Sequence, residues 1–136
     1  MARIRALAEY AAKLTAYLDG VVKRGYDLAD WDDLMAVLHA LQLQAQALID
    51  AAQRAASLLG EPAQTYAEAG ESLFRRGIFD AEDLRLYRSI VGFRNVIVHG
   101  YASVDAARVD EVLRTGLYRK VLALIDKIAR ALPDPQ

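Results

Sequence analysis

Apolar side chains recur at alternating spacings of three and four residues over most of this chain, and this period constrains the fold more than any other feature. An α-helix turns once in about 3.6 residues, so side chains at this spacing line one face of a helix. No segment alternates apolar and polar residues over the length of a strand. The pattern therefore predicts an all-α fold. The first such stripe consists of Ile4, Leu7, Ala11, Leu14, Leu18 and Val21.

Residues that favour helix starts and helix ends divide the pattern into five predicted helices. The first runs from about Ala2 to Arg24 and stops at Gly25. The second, third and fourth follow capping residues, and the pattern at the start of the third predicts a capping box. These capping residues are Asp30, Thr65 with Glu68, and Asp80, and the breaks between the helices fall at Gly60, Pro62 and Gly77.

The fifth predicted helix begins after Asp105 and continues towards Leu132, where Pro133 stops it. Gly116 is a bend or weak point within it. Long helices joined by short connections favour an antiparallel, up-and-down bundle. We therefore expect one all-helical domain over residues 1–136, built from four to five helices.

The composition limits the chemistry that such a bundle can perform. The 136 residues include no cysteine and two histidines, His39 and His99. These counts exclude thiolate nucleophiles, iron–sulfur ligation, disulfides and cysteine-based zinc sites. Seventeen Lys and Arg against 18 Asp and Glu give a net charge of −1. That balance excludes a polybasic nucleic-acid coat but permits a local basic patch.

No segment has the sequence character of a signal peptide or a membrane span. The longest charge-free stretch, residues 34–49, contains His39 and three glutamines. It is also shorter than the roughly 20 apolar residues that a span requires. We therefore expect a cytoplasmic protein without a membrane partner.

Chemically versatile side chains concentrate in residues 91–101, which read VGFRNVIVHGY. Arg94 carries a permanently charged, planar guanidinium that matches two phosphate oxygens. His99 can accept or donate a proton near neutral pH, and Tyr101 offers a hydroxyl that can donate a hydrogen bond or be modified. The same residues are also compatible with a structural helix end. Arg94 would then pair with an acidic neighbour, His99 would interact with the helix dipole, and Tyr101 would cover core.

Helical geometry separates these three side chains. At about 100° per residue, His99 lies roughly 140° from Arg94, whereas Tyr101 lies within about 20° of it. Two arrangements remain open. Either the helix ends near Gly100 so that His99 turns inward, or a second copy of the chain completes a shared cleft. His39, in the middle of the second helix, is interpreted as structural or interfacial.

The segment FRNVIVHGY resembles the R-x4-H-x-Y signature of the HEPN superfamily, and specifically the HepT toxins of MntA–HepT toxin–antitoxin modules. The likeness extends to LQLQAQALIDAA, YAEAGESLFRRGIFD, LYRSIVGFRNVIVHGY and VDAARVDEVL, and so covers essentially the whole chain. It implies a HEPN-like, homodimeric bundle that acts as a metal-independent endoribonuclease and needs no cofactor.

The resemblance also implies a role for each polar residue of the segment. Arg94 and His99 would be the catalytic pair, with Asn95 as the polar residue beside them. Tyr101 would be the tyrosine that the MntA-like nucleotidyltransferase antitoxin modifies with AMP to silence the toxin. The chemistry is consistent with these roles, because RNA supplies its own nucleophile, the 2′-hydroxyl. His99 could act as general acid or base while Arg94 stabilises the phosphorane.

The sequence that leads into this segment carries a small excess of positive charge. Residues 75–94 contain five arginines and three acidic residues, a net charge of +2. Arg88 lies six positions before Arg94 and is a candidate RNA-binding residue.

Two other functions are compatible with the same residues. A non-catalytic HEPN module would use Arg94 and His99 only to bind a nucleotide or RNA, or would be the accessory subunit of a nucleotidyltransferase. A purely structural bundle would use neither side chain chemically. A neighbouring gene for a small nucleotidyltransferase favours the toxin, and its absence favours a stand-alone module.

Overall fold

The computed structural model describes residues 3–133, and within that range the chain forms six α-helices and one 3₁₀ turn but no β-strand. The all-α prediction is therefore confirmed, and the predicted helix start at Ala2 lies outside the described residues. None of the described helices combines the length and the hydropathy that a membrane span needs. The elements are α1 (Ile4–Arg24), α2 (Trp31–Leu58), α3 (Tyr66–Arg75), α4 (Ala81–His99), the 3₁₀ turn Tyr101–Ser103, α5 (Ala106–Arg114) and α6 (Arg119–Ala131).

The predicted N-caps are formed, because local sequence determines them. The complete capping box lies at α4, where Asp80 and Asp83 each accept a hydrogen bond from the backbone N–H of the other. At α3 the predicted box is half formed. Glu68 accepts from the backbone N–H of Gln64 (2.8 Å) and not from that of Thr65. A first-turn backbone N–H donates to the side chain of each predicted cap: Asp30, Thr65, Asp80 and Asp105.

The single long helix predicted after Asp105 is two helices in the structure. Residues 115–118 separate α5 from α6, and Gly116 has a φ of +74°, in the left-handed region that favours glycine. The N–H of Leu117 bonds to the carbonyl of Val112 (3.1 Å), which closes α5 in a Schellman motif. The predicted weak point is a complete break, so the described chain has six helices and not four to five.

Helix α2 is the centre of the bundle and packs against α1, α3, α4 and α6. Small side chains on α2 let these neighbours approach closely. It runs antiparallel to α4, since Gln46 contacts Arg94 while Gln42, one turn earlier, contacts Tyr101 beyond the end of α4. Seven alanines of α2 are buried within the chain: Ala40, Ala45, Ala47, Ala51, Ala52, Ala55 and Ala56.

The buried side chains form two clusters, one at each end of the bundle. Leu38 belongs to one cluster and Leu48 to the other. Gln44 lies between them along α2, is fully buried, and donates from Nε2 to Oγ1 of Thr15 on α1 (2.9 Å). A polar contact between two helices thus divides the apolar core.

Candidate functional site

The polar segment lies at the C-terminal end of α4 and in the turn that follows. Helix α4 ends at His99, and Gly100 has a φ of +151°, which L side chains rarely adopt. Tyr101 opens the 3₁₀ turn and is no longer on α4. The prediction of a helix end near Gly100 is confirmed. The expectation that Arg94 and Tyr101 share one helical face is wrong, because the left-handed glycine ends the helix between them.

Two neutral oxygen atoms hold the Arg94 guanidinium. Its Nη2 donates to Oε1 of Gln46 on α2 (2.7 Å), and its Nη1 donates to Oδ1 of Asn95 (3.1 Å). Its Cζ lies 5.5 Å from the centroid of the Tyr66 ring, within cation–π distance.

No carboxylate among residues 3–133 forms an ion pair with Arg94. The structural alternative, in which Arg94 pairs with an acidic neighbour, is therefore not found there. Amide oxygens orient a guanidinium without cancelling its charge, so this cation stays available to an anion.

The Gln46 side chain is oriented in turn by Asp50, which lies one turn further along α2. Its Nε2 donates to Oδ1 of Asp50 (2.8 Å) while its Oε1 accepts from Arg94. The Nε atom of Arg94 is buried and has no hydrogen-bond partner within the described residues. The guanidinium is therefore fixed at its outer nitrogens.

Tyr101 contacts α2 one turn away from Gln46. Its hydroxyl donates to Oε1 of Gln42 (3.3 Å). Residues four apart lie on the same side of a helix, so α2 brings Arg94 and Tyr101 to one side although they belong to different elements. Sequence reasoning did not identify Gln42, Gln46 or Asp50. The available signal was their four-residue spacing on a helix that is otherwise mostly apolar.

His99 is exposed and does not turn inward. Within the described residues its imidazole forms no hydrogen bond with the groups that hold Arg94. Val96 lies on the same outer face of α4 and is 42% exposed. The other exposed members of this face are Arg85, Arg88, Ser89 and Gly92. The inward arrangement of His99 is therefore wrong for the single chain, and completion of a cleft by a second copy stays a prediction.

The positive charge that leads into the segment is smaller than the sequence count predicts. Arg75 and Arg76 both pair with Glu61 (2.9 and 2.8 Å), and their hydrogen bonds lower the pKa of its carboxyl. Arg88 lies 3.5 Å from Glu71, and its side chain is 56% exposed. Glu61 and Glu71 lie outside residues 75–94, so the count could not include them. Arg88 is exposed, but an anion would have to compete with Glu71 for its guanidinium.

His39 is exposed on α2, which excludes the core-structural interpretation and leaves the interfacial one as a prediction. Among residues 3–133, no three histidine or carboxylate side chains cluster as metal ligands would. The candidate site therefore consists of Arg94, Asn95 and Tyr101 with their α2 partners, and of His99 on the outer face of α4.

Comparisons with known proteins give the family and the fold. The family model described as ribonuclease HepT-like matches residues 7–128. A solved structure of a toxin–antitoxin with AMP-PNP is similar in fold, with a TM-score of 0.69 and 19% sequence identity over 92% of this chain and 99% of that chain. No curated protein matches the sequence. Because the family match covers most of the chain, including Arg94, His99 and Tyr101, this protein belongs to the HepT-like ribonuclease family.

Proposed function

We propose that this protein is a metal-independent endoribonuclease, the toxin of a toxin–antitoxin module, which a nucleotidyltransferase antitoxin silences by AMPylation of Tyr101. Membership of a ribonuclease family supports the activity. The observation that carries the proposal is the Arg94 guanidinium, held by two amide oxygens and by no carboxylate of the described chain. Such a cation is prepared to bind phosphate.

Cleavage uses the 2′-hydroxyl of the substrate as nucleophile. A base removes its proton, the oxygen attacks the adjacent phosphorus, and an acid protonates the departing 5′-oxygen. The products are a 2′,3′-cyclic phosphate and a 5′-hydroxyl. His99 serves as the acid–base group, and Arg94 binds the phosphate and stabilises the charge that accumulates in the transition state. Asn95 holds Nη1 of Arg94.

The working site belongs to a homodimer. His99 lies on the outer face of α4 together with Gly92, where an added β carbon would meet no atom within 4 Å. A glycine inside a helix lowers stability by up to about 1 kcal/mol relative to alanine. Because a β carbon would fit at position 92, packing within the chain does not explain why a glycine stands there. A two-fold axis near Gly92 would let two α4 helices approach closely and would bring both His99 side chains into one cleft. One imidazole then acts as the base and the other as the acid.

RNA reaches this cleft along the exposed face of α4. Arg88 lies on the same face as His99 and would bind a phosphate next to the cleaved one. The modest charge of this face suits transient binding with little sequence specificity.

Tyr101 is the proposed site of regulation. Transfer of AMP from ATP to its oxygen releases pyrophosphate and replaces the hydroxyl hydrogen, so the hydrogen bond to Gln42 is lost. The added phosphate lies near Arg94, because their α2 partners are one turn apart, and it competes with RNA for that cation. A similar fold occurs in a structure of a toxin–antitoxin with AMP-PNP, an ATP analogue, which supports a partner of this kind.

Purified protein tests the ribonuclease. We expect cleavage in EDTA with 2′,3′-cyclic phosphate ends. His99→Ala should cleave about 10² to 10⁴-fold more slowly, as expected for loss of an acid–base group. Arg94→Ala should also be impaired, whereas Arg114→Ala, an exposed arginine on α5, serves as the matched control. Wild-type cleavage by His99→Ala, or dependence on added magnesium, would contradict the mechanism.

Co-expression with a neighbouring nucleotidyltransferase tests the regulation. Mass spectrometry should find AMP on Tyr101 of the wild-type protein, together with loss of cleavage. Tyr101→Phe should still cleave RNA but escape silencing, since it lacks the acceptor oxygen. A silenced wild-type protein without the added mass would indicate that the partner only covers the site.

The exposed position of His99, apart from the groups that hold Arg94, favours a second candidate function. A single chain of this geometry suits a non-catalytic HEPN module that binds RNA or a nucleotide, or the accessory subunit of a nucleotidyltransferase. If the module binds RNA, this candidate predicts that the purified protein binds RNA without cleaving it.

A further inference from the structure

We infer that Gln46 and Asp50 of α2 are positioning residues that fix the Arg94 guanidinium while keeping its positive charge free for a phosphate. The consequence for cleavage rests on the proposed ribonuclease function. The fixing of the side chain itself can be measured without RNA.

The three side chains form a chain of hydrogen bonds. Asp50 Oδ1 accepts from Gln46 Nε2 (2.8 Å), and Gln46 Oε1 accepts from Arg94 Nη2 (2.7 Å). A glutamine amide has a donor end and an acceptor end, and a carboxylate accepts only. An arginine guanidinium donates only. Asp50 and Arg94 therefore favour the same orientation of the Gln46 amide, and Asp50 holds its donor end in place. A reversed amide would direct N–H groups at the guanidinium.

The order of these groups along α2 keeps the negative charge away from the guanidinium. A carboxylate at position 46 would form a direct ion pair with Arg94, and a phosphate would have to compete with it. In the structure the carboxylate of Asp50 lies behind a neutral amide. Coulomb attraction falls with distance, so the Asp50 carboxylate opposes phosphate binding at Arg94 less than a carboxylate at position 46 would. Gln46 still orients the guanidinium through its hydrogen bond.

The count of donors on Arg94 matches a bidentate phosphate contact. A guanidinium has five N–H groups. Gln46 and Asn95 each accept one, and the Nε–H is buried without a partner among the described residues. Two N–H groups remain, one on each Nη nitrogen, which is the number that two phosphate oxygens use in a fork-like contact.

The Gln46→Leu variant tests whether Gln46 fixes the side chain. In the ¹⁵N NMR spectrum, the Nε–H resonance of Arg94 should broaden and its hydrogen exchange should accelerate. With RNA, kcat should fall about 10- to 100-fold, as expected when a catalytic group is misplaced by about 1 Å, and KM should change less. Gln53→Leu, about 10 Å further along the same helix, is the matched control and should leave the Arg94 resonance and kcat unchanged.

A charge-exchanged double variant, Gln46→Glu with Asp50→Asn, tests the second half of the inference. It keeps the net charge and can hydrogen-bond the same two pairs of residues, with the amide at position 50 now donating to the carboxylate at position 46, but it moves the carboxylate into contact with Arg94. The Nε–H resonance should stay sharp, while KM for RNA should rise about tenfold or more and kcat should change less.

These outcomes separate the inference from the proposed function. A wild-type Nε–H resonance and wild-type kcat in Gln46→Leu, or a wild-type KM in the double variant, would overturn it. If the protein cleaves no RNA, the proposed function fails, yet the NMR comparison still decides whether Gln46 fixes Arg94. Should Gln46→Leu not fold, Asp50→Ala replaces it, since loss of the carboxylate removes one of the two hydrogen bonds that hold the Gln46 amide and should also broaden the Arg94 resonance.

Discussion

The arginines of this protein differ in the acceptors to which they donate hydrogen bonds. Arg119 donates from Nε to the carboxylate of Asp19 (2.9 Å), and the hydrogen bonds of Tyr118 and Arg119 lower the pKa of that carboxyl. The charge of Arg119 is thus already compensated. Arg94 contacts neutral amide oxygens, so its charge is not compensated. A count of charged residues treats the two arginines as equivalent.

The sequence identified Arg94, Asn95, His99 and Tyr101 as candidates because they lie close together along the chain. It could not identify Gln46, because that contact joins residues 48 positions apart and depends on how α2 packs against α4. Chemistry-bearing side chains can be recognised locally, whereas the groups that orient them depend on tertiary structure.

The Tyr66 ring provides a residue-scale prediction. Tyr66→Leu should lower kcat/KM by an amount that corresponds to about 1 kcal/mol, because the guanidinium of Arg94 loses the face of an aromatic ring. Tyr66→Phe retains that face and should keep most of the activity. Equal losses in the two variants, measured by steady-state cleavage of one RNA, would contradict a role for the ring.

At the scale of single helices, the caps of α2 to α5 were predictable because each depends on a few neighbouring residues. The break between α5 and α6 was predicted only as a weak point. The apolar stripe continues across Gly116, so the hydrophobic pattern favours one helix. The left-handed φ of Gly116 is what separates the two in the structure.

The start of α4 gives a prediction about pH. Burial raises the pKa of Asp83, but the hydrogen bonds from Lys127 (2.6 Å) and from the backbone of Asp80 outweigh it, and the net pKa is lowered. A lowered pKa in the folded state contributes stability above the unfolded value of about 3.9 that is lost as pH falls through the folded value.

Asp83→Ala should therefore reduce the free energy of unfolding by about 1 kcal/mol at pH 7, and the loss should shrink as the pH is lowered below about 4. Urea unfolding of both proteins at pH 7 and pH 3 measures this. A penalty of the same size at both values would show that the charge of Asp83 does not stabilise α4.

At the scale of the whole molecule, the bundle was predictable from periodicity, since an apolar stripe on each helix requires partners for burial. The position of His99 relative to Arg94 was not predictable from periodicity. One helix carries both, but Arg94 contacts α2 whereas His99 is exposed on the outer face.

The Gly92→Arg variant tests the proposed homodimer. The β carbon position is open in the single chain, so the fold should tolerate the substitution, while bulk and charge on the outer face of α4 should separate two copies. We expect a monomer in sedimentation equilibrium, a wild-type helical circular dichroism spectrum and loss of RNA cleavage. A monomeric variant that cleaves RNA at the wild-type rate would exclude a shared site.

Gln44 lies between Gln42 and Gln46 in sequence but on the opposite side of α2, where it bonds to Thr15. Apolar contacts can re-form when one helix slides along another. A buried amide that slides away from its partner loses a hydrogen bond, which is costly in the core. The bond from Gln44 to Thr15 therefore sets the register of α2 in the bundle. A slide of one turn, about 5.4 Å, in one direction would bring Asp50 to the place of Gln46 and put a carboxylate against Arg94. The register that keeps the cation free is thus fixed on a face of α2 that the site does not use.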